Sequence, residues 1–570
     1  MSNKFRVQYH TLSMREMLES NNIFYVPPYQ RRYSWEKKQL EDLWNDVYSL
    51  GKKNSHFLGN IVIVPKAQPP MGPNRLEIID GQQRLVCVSV LLIAIRDYLK
   101  DQGENKRVET FRQMLYNFSL DGDYICDKLE LGSLDEEDYK YLVNIARTRI
   151  KYTKVKNDCL RRTYEYFMLK IKEMGIEKTK EFHEKLVKKV SATLITVTED
   201  LNAYTLFEGL NNRGLRLSPV DLMKNRLFQA SSEAKDGSLE SVKDLWSHII
   251  TNLDGIGEER FFRQYMMSSK AFRARGKVTV TGLYKQFRKN LKSACESCGI
   301  EAYIRDVEES SELYSRIWHG KINEYGSNSR NEIINVHLRN LDDIGAIPSY
   351  TLLLRMFKEN VSREDVIKIL ELIEKFTIRR IVGSSPTREL DTIYNHLAHN
   401  AFEKREPVEY IQNYLKARER IPSDNEFKEK FEKIDFKNNS QTKYILGEIE
   451  LRHFRDLKTP NHYSSYDVHI EHIAPRRTYT QKSKTPWKKY LGIDKDKFNK
   501  YKSKIGNLTA LEGLLNKKAK YKSFDLKKKY YAQSDFKMAK KLCTYERWSI
   551  EKINKRTEKL AKIATKVWKL

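Results

Sequence analysis

The segment LEIIDGQQRLVCVSVLLIAI, residues 76–95, limits the fold of this chain more than any other stretch. Its first five residues form a β-rich run, Gly81 follows in a turn, and the apolar residues at 85–95 are typical of a buried helix. The apolar run is too short to span a membrane, and Arg84 and Arg96 bound it. A strand that leads into a buried helix through a glycine turn predicts a compact α/β unit.

Neighbouring segments continue this alternation of strands and helices. NIFYVPPYQRRYSW at 22–35 contains a strand-like run and a Pro-Pro turn, and GNIVIV at 59–64 is a second β-rich run. Between these two stretches, apolar residues recur at helical spacing, at Leu40, Leu43, Trp44 and Val47. The α/β unit therefore extends over about residues 20–100.

Helical patterns dominate the chain from there to residue 450. From 105 to 235 they include AYTLFEGL at 203–210, the turn NNRG after it, and a helix with Ser218 as N-cap and Pro219 in its first position. Residues 236–450 are predicted to be mainly α, with Ser362 as another N-cap. The expected fold class is α+β and predominantly helical.

Chain length sets the number of domains. A chain of 570 residues is too long for one compact core, and boundaries are plausible near 235–240 and 435–445. We therefore expect domains at 1–235, 236–440 and 441–570. The N-terminus has no apolar core followed by a small-residue cleavage site, so a cytoplasmic location is expected.

Cysteine spacing and charge bear on metals and partners. Cys295 and Cys298 form the only close cysteine pair in the sequence, and a zinc site would need a second pair. Of the net charge of +28, residues 471–570 carry +20, because 29 lysines and arginines there oppose 9 acidic residues. Such a concentrated positive field favours a polyanionic partner, most simply nucleic acid. A merely soluble, lysine-rich surface is the alternative.

The DGQQR motif places polar side chains and backbone N–H groups at a helix N-terminus, where anions bind. Asp80 could cap the helix or take a metal ion or a ribose hydroxyl, and Arg84 could grip phosphate. A capped helix with a solvent-facing arginine is the alternative. Three further stretches favour a site, namely PPYQRRYSW at 27–35, HFLGNIVIV at 56–64 and LNNRGLRLSPVDLMKN at 210–225.

Together these stretches resemble the N-terminal domain of the GmrSD-type, modification-dependent (type IV) restriction endonucleases, with its ParB-like fold and DGQQR motif. The resemblance implies a domain that binds and hydrolyses a nucleoside triphosphate, GTP or another NTP, and that helps to sense modified DNA. The chain has no Walker A sequence, so this pocket would have to differ from a P-loop. The residues that the resemblance assigns to the nucleotide are Asp80, Gly81, Gln82, Gln83, Arg84, Gln30 and Arg31.

The stretch HIEH at 469–472 has three interpretations: a metal site, a catalytic base beside a metal ligand, or a strand with polar residues. Downstream, KIGNLTALEGLLNKKAKYKS at 504–523 contains Asn507 and Asn516. This order of features resembles an HNH nuclease. Such a nuclease has an acidic-His pair before a proline, an Asn-Leu on a returning strand, and a helix with a further polar ligand. Phosphodiester hydrolysis needs an activated water, a cation and a group that orients the base, and these residue types can supply them.

The HNH resemblance implies a role for each residue in a ββα-metal nuclease domain embedded in helices. His472 would take the proton of the attacking water, and Glu471 and Asn516 would hold Mg²⁺ or another divalent cation. Asn507 would orient His472 or brace the loop. Phosphates of the DNA would be neutralised by Lys517, Lys518 and Lys520. A zinc site is the alternative, built from His469, His472, His453 and His462.

The combined expectation is an NTP-dependent, modification-sensing endonuclease of anti-phage defence that cuts double-stranded DNA. It would comprise a ParB-like sensor, a helical middle region and an HNH effector, with modified phage DNA as its target. The rival is an NTP-switched DNA-binding regulatory protein whose HNH domain does not cut. The intact set of Glu471, His472, Asn507 and Asn516 favours the enzyme. A homodimer remains open.

Overall fold

The structure is a computed structural model. It describes residues 7–51, 54–66, 72–119, 121–132, 134–148, 155–197, 218–233, 239–271, 276–359, 361–417, 420–457, 468–479 and 486–570. The helix predicted at 203–210, the turn after it and His462 lie outside these residues. The chain forms two compact units, Met1–Asp254 with Phe287–Glu308, and Gly255–Gln286 with Glu309–Leu570. The predicted division into three domains remains a prediction.

The first unit contains a mixed six-stranded sheet in the order β1-β8-β3-β4-β2-β7. Strand β8 pairs antiparallel with β1 and parallel with β3, while β4 pairs antiparallel with β3 and parallel with β2. A separate hairpin joins β5 and β6. The strands are β1 (Val7–Ser13), β2 (Asn22–Tyr25), β3 (His56–Pro65), β4 (Asn74–Asp80), β5 (Tyr116–Phe118), β6 (Tyr124–Asp127), β7 (Leu129–Glu130) and β8 (Val190–Val197).

The long helix α3 (Gln82–Asp101) forms the core of this unit, and its apolar run at 85–95 is buried throughout, as predicted. It starts directly after β4 through Gly81, which has a φ of +96°. A side chain there would be strained and would lie 3.1 Å from the Asn60 carbonyl oxygen, so the turn requires glycine. Strand, turn and helix thus follow the pattern of the sequence.

Other helices surround this sheet and core. In α2 the four residues predicted at helical spacing are all buried. Ser218 caps the helix that begins at Pro219, because its Oγ accepts a hydrogen bond of 3.1 Å from the Asp221 N–H. The helices are α1 (Met14–Leu18), α2 (Lys37–Tyr48), α4 (Asn105–Glu109), α5 (Arg112–Leu115), α6 (Glu136–Thr148), α7 (Asp158–Met174), α8 (Ile176–Lys189), α9 (Pro219–Glu233) and α10 (Leu239–Asn252). Two further helices, α12 (Leu283–Ser297) and α13 (Ile300–His319), have residues in both units.

The region from 105 to 235, where helical patterns dominate, also contributes strands. The segment VSATLITV forms β8, which lies between β1 and β3 in the sheet. Its valine, threonine and isoleucine side chains are branched at Cβ, which favours strands. The helical pattern of the flanking residues obscures this short run in the sequence.

The second unit is mainly helical, with one small two-stranded sheet of β9 (Val468–His472) and β10 (Leu508–Glu512). Ser362 caps α16 as predicted, with 3.1 Å between its Oγ and the Asp365 N–H. The helices are α11 (Glu258–Ser268), α14 (Asn328–Asp343), α15 (Tyr350–Lys358), α16 (Arg363–Gly383), α17 (Leu390–Asn400), α18 (Pro407–Lys416), α19 (Asp424–Lys433), α20 (Ser440–Ile449), α21 (Trp487–Leu491), α22 (Lys495–Asn499), α23 (Gly513–Ala519), α24 (Phe524–Tyr531), α25 (Lys537–Lys540) and α26 (Ile550–Val567).

The two units together are predominantly helical α+β, which confirms the predicted fold class. Short 3₁₀ segments and one π-helical turn connect several helices, at Ile347–Ser349, Thr387–Glu389, Ala401–Glu403, Glu450–Phe454, Ile505–Asn507 and Lys541–Thr544. Among the described residues, no helix combines the length and the apolar character that crossing a membrane requires.

Candidate active site

Strands β9 and β10 form an antiparallel hairpin that α23 follows directly. His472 at the end of β9 pairs with Leu508 at the start of β10, and Glu471 pairs with Thr509. Val468 and Ile470 are buried on β9, while His469 between them is exposed. This β-β-α arrangement brings the HIEH stretch and the helix that carries Asn516 together.

Asn507 fixes the loop that follows His472. Its side chain accepts a hydrogen bond of 2.8 Å from the Ala474 N–H and donates one of 2.9 Å to the Ala474 carbonyl. The same amide donates to the Lys502 carbonyl at 3.0 Å, and Trp548 Nε1 donates to Asn507 Oδ1 at 3.3 Å. Asn507 is fully buried, so this geometry matches the bracing role rather than direct contact with a ligand.

Arg556 of α26 fixes the other side of the hairpin. Its Nη1 donates to the carbonyl oxygens of Gly506 at 2.8 Å and Leu508 at 2.6 Å. Burial lowers the pKa of Arg556 to about 10, so the guanidinium remains charged at neutral pH. A charged donor bound to two carbonyls makes the turn before β10 rigid.

A cleft of about 610 Å³ lies beside the end of β9. It brings together the predicted residues Glu471, His472 and Asn516 with a group of cations. Lys518, predicted to bind phosphate, is exposed on α23 and does not line this cleft. The lining residues are Ile470, Glu471, His472, Pro475, Arg476, Arg477, Lys502, Asn516, Lys517, Lys520 and Tyr521.

His472 has a ring nitrogen without a protein partner. Its Nε2 is buried and receives no hydrogen bond from the described residues. Burial, reinforced by the nearby charges of Arg476 and Lys527, lowers the pKa of His472 to about 4. The imidazole is therefore neutral at neutral pH, the form that accepts a proton.

Glu471 is buried and held from one side. Lys527 Nζ lies 2.5 Å from Glu471 Oε1, and the Tyr531 hydroxyl donates to the same oxygen at 3.1 Å. Burial raises the pKa of Glu471, while the charge of Lys527 lowers it. Both of these side-chain contacts are made to Oε1.

The alternative zinc site receives no support in the described part of the chain. No group of three or more His, Cys, Asp or Glu residues there is arranged to hold a metal ion. His453 lies in the π-helical turn beside Phe454 and does not line the cleft, and His469 is exposed. Cys295 and Cys298 are exposed and form no disulfide.

In the first unit, the DGQQR glutamines hold the PPYQRRYSW loop. Gln82 Nε2 donates to the Arg31 carbonyl at 3.0 Å, and Gln83 Nε2 donates to the Arg32 carbonyl at 3.1 Å. Gln83 Oε1 also accepts a hydrogen bond of 2.8 Å from the Ser34 N–H. In this structure the amides of both side chains bind the loop backbone, and their contact with a nucleotide stays a prediction. Of the side-chain amide atoms of Gln82 and Gln83, Oε1 of Gln82 is buried and has no hydrogen-bond partner among the described residues.

Asp80 and Arg84 form an ion pair beside this loop, with 3.3 Å between Oδ2 and Nη2. Burial raises the pKa of Asp80, and the charge of Arg84 opposes this. Arg84 packs against Gly59, where an added Cβ would lie 2.4 Å from Nη1. Helix α3 starts at Gly81 without a side-chain cap, and its arginine is mostly buried, with 16% of the side chain exposed, rather than facing solvent.

Gln30 and Arg31 have different surroundings. Gln30 is buried and donates to the Ile79 carbonyl at 3.1 Å, while its Oε1 accepts a hydrogen bond of 2.6 Å from Lys224 Nζ. Arg31 is 42% exposed and lies 3.9 Å from Asp221. Burial lowers the pKa of Lys224 to about 8. Lys224 therefore belongs to this cluster, although its sequence motif gave it no assigned role.

Sequence analysis also missed Lys527, which contacts Glu471 and the backbone at the end of β9. A signal for both lysines exists in the sequence. Lys527 lies in a helical stripe with Phe524 and Tyr531, and Lys224 lies beside Met223 and Leu227, all of them buried. A buried lysine on the apolar side of a helix needs a polar partner, so this pattern in a sequence indicates a buried polar contact.

A hairpin with a cationic cleft, and a neutral histidine whose Nε2 has no partner among the described residues, is typical of proteins that bind polyanions. Comparison with family models identifies the protein family. The model described as "GmrSD restriction endonuclease, N-terminal domain" matches residues 14–228, and that described as "GmrSD restriction endonucleases, C-terminal domain" matches residues 421–563. The chain therefore belongs to the GmrSD restriction endonuclease family, and it is a restriction endonuclease of phage defence with DNA as its partner. A search of curated proteins found no match.

Proposed function

We propose that this chain is an Mg²⁺-dependent HNH-type endonuclease whose cleavage of modified DNA is controlled by a nucleoside triphosphate. The observation that carries the nuclease assignment is the unpartnered Nε2 of His472 in a cleft shared with Asn516 and several cations. A neutral imidazole beside a phosphate-binding surface is what activation of a water molecule requires.

The proposed mechanism uses the geometry of the cleft. His472 Nε2 accepts a proton from the attacking water, and Asn507 keeps the loop after His472 in place through Ala474. Arg476, Arg477 and Lys517 face the same cleft and attract the phosphates on either side of the scissile bond. In this mechanism these residues bind the phosphates, hold the loop in place and deprotonate the water.

The residues of the cleft also fit a hard divalent cation. Glu471 and Asn516 line it and offer a carboxylate and an amide oxygen, the donors that Mg²⁺ prefers. Bound there, Mg²⁺ would neutralise the charge that develops on the scissile phosphate. Because the protein supplies few ligands, we expect a site completed by water and phosphate oxygens.

The nucleotide part of the proposal rests on the Asp80–Arg84 pair at the N-terminus of α3. Gln82 and Gln83 hold the loop at 29–35 against this helix end, so they order the pocket through its backbone. Arg84 and the buried Lys224 supply positive charge nearby, which suits phosphate. The proposed ligand is GTP or another NTP. The test below varies the DNA modification independently of the nucleotide.

The test compares His472→Ala with His469→Ala, a matched loss of a histidine from the same strand. Wild type and both variants are offered modified and unmodified plasmid with Mg²⁺ and each NTP. We expect His472→Ala to lose cleavage by about 10²–10⁴-fold while its affinity for DNA stays within about twofold, because a general base contributes to rate and not to charge attraction. His469→Ala should cut like the wild type.

A wild-type rate for His472→Ala would refute the assignment of the base. Wild-type protein that binds DNA but never cuts it, under any NTP or modification, would favour the DNA-binding regulator instead. Asn516→Ala should raise the Mg²⁺ concentration needed for half-maximal cleavage, and excess Mg²⁺ should partly restore its rate. His472→Ala should show no such restoration, since added metal does not replace a proton acceptor.

A further inference from the structure

Lys527 places a fully buried ammonium group directly behind the end of β9. Its Nζ lies 2.5 Å from Glu471 Oε1, 2.9 Å from the His472 carbonyl and 3.0 Å from the Ile473 carbonyl. An ammonium group has three N–H donors, and these three acceptors use all of them. The side chain is 0% exposed, so no contact with DNA is open to it.

The contacts of Lys527 converge on the residue that carries the proposed base. The carbonyls of His472 and Ile473 belong to successive peptide groups, and binding both fixes the backbone on the C-terminal side of the imidazole. Tyr531, one helical turn after Lys527, donates to the same Glu471 oxygen at 3.1 Å. Helix α24 thus holds the strand end through one cation and one hydroxyl.

We propose that Lys527 is a positioning residue of the nuclease site, which fixes the backbone of His472 and orients the Glu471 carboxylate at the wall of the cleft. This inference rests on the proposed function. Packing alone does not require a lysine, because an apolar side chain of similar length fills such a position without burying a charge. An apolar side chain cannot, however, hold two successive carbonyls and a carboxylate.

Substituting Lys527 by itself would leave the Glu471 carboxylate buried without its cation, and the fold could fail. The experiment therefore uses Glu471→Gln as its reference, in which Lys527 keeps an amide oxygen and both carbonyls as acceptors. The test variant is Glu471→Gln/Lys527→Met, which removes both charges and preserves side-chain length. Lys529→Met in the Glu471→Gln background is the matched control, since Lys529 is exposed on the same helix.

The readouts are single-turnover cleavage, DNA affinity, thermal midpoint and hydrogen exchange of the segment 468–475. We expect the Lys527→Met double variant to keep the midpoint and affinity of its reference, to cleave about 10²-fold more slowly, and to exchange faster in that segment. The Lys529→Met control should match the reference in all four. Because Glu471→Gln is common to every variant, the loss belongs to Lys527.

Equal cleavage rates and equal exchange in the reference and the double variant would overturn the proposal. A slower rate with a lowered midpoint would also count against it, because the effect would then be one of stability. If Glu471→Gln alone abolishes cleavage, exchange of 468–475 in the free protein decides the result. If the wild type never cuts DNA, the proposed function fails, while the exchange comparison still shows whether Lys527 orders the end of β9.

Discussion

Individual side chains that bind backbone groups determine the geometry of both candidate sites. Asn507 contacts both polar groups of Ala474, and Gln83 contacts the backbone of Arg32 and Ser34. Loops have no regular partners for their N–H and C=O groups, so a buried amide side chain can replace the missing partner. Such residues shape a site without contacting its ligand.

A buried histidine makes the stability of the first unit depend on pH. His183 is 0% exposed and stacks on Phe111 at 4.4 Å, and neither ring nitrogen has a hydrogen-bond partner among the described residues. Burial lowers the pKa of His183 to about 4, with Glu184 opposing and Arg107 reinforcing the shift. The unfolded chain therefore binds this proton at higher pH than the folded chain.

Stability from His183 is fully present above pH 6.5, the ordinary pKa, and is lost as the pH falls towards about 4. The loss is on the order of 3 kcal/mol over that range. We expect the midpoint of urea unfolding to fall between about pH 7.5 and pH 5, and His183→Phe to reduce this fall. His10→Phe, at an exposed position, is the control. An unchanged pH dependence in His183→Phe would contradict the assignment.

At the scale of elements, the hairpin depends on close contact between its turn and α26. An added Cβ on Gly506 would lie 2.1 Å from the Ile553 carbonyl and 2.4 Å from Thr557 Oγ1. Gly506 N–H also donates to Thr557 Oγ1 at 3.2 Å. Backbone of the turn therefore touches backbone of the helix at Ile553, and a movement of the Thr557 side chain alone would not make room.

Gly506→Ala tests this contact. We expect it to lower the free energy of unfolding by about 1–3 kcal/mol or more, because a methyl group forces the helix away from the turn. DNA cleavage should fall with it, since the same turn carries Asn507. Gly51→Ala is the control, as no described atom lies within 4 Å of the added Cβ. Thermal unfolding of both variants provides the measurement, and equal midpoints would show that the helix adjusts without strain.

Elements were easier to predict from the sequence than the use of their polar residues. Apolar spacing correctly predicted α2 and α3, and side-chain chemistry correctly predicted the caps Ser218 and Ser362. These features depend on neighbours a few positions away. The contact between Lys527 and Glu471 spans 56 positions, and the sequence does not specify such a partner.

The DGQQR motif shows the same limit. The sequence identified its place at a helix N-terminus, where Gly81 makes the turn. It did not indicate that the side-chain nitrogens of Gln82 and Gln83 bind the backbone of a loop about fifty positions earlier, and their assignment to a nucleotide stays a prediction. Amide groups serve ligands and loops with the same donors and acceptors, so residue type alone does not distinguish the two uses.

For the whole molecule, the central question is whether the two proposed sites influence each other. Asp80→Ala and Arg84→Ala should eliminate NTP hydrolysis, since they remove the ion pair at the helix end. If the nucleotide controls the nuclease, both should also lose NTP-dependent cleavage, because the nucleotide must bind the cutting and resting states with different affinities. Phosphate release and cleavage are measured side by side on modified and unmodified DNA.

Arg112→Ala is the control for this comparison, since it removes an arginine of the same unit whose side chain is 46% exposed. It should hydrolyse NTP and cut as the wild type does. Normal hydrolysis by Asp80→Ala would show that the nucleotide binds elsewhere. If Asp80→Ala loses NTP hydrolysis but still cuts modified DNA normally, the nucleotide pocket is correctly assigned. The nucleotide then does not control the nuclease.

The small hairpin at Val468–His472 and Leu508–Glu512 also limits how this nuclease could be re-used. Two strands of five residues are marginal by themselves in water, and here they depend on Arg556 and Lys527 from helices later in the chain and on Trp548 just before the last helix. A protein engineer who grafted the hairpin and α23 onto another scaffold would transfer the reactive side chains without the residues that order them. The transferable module must include the supporting helices through α26.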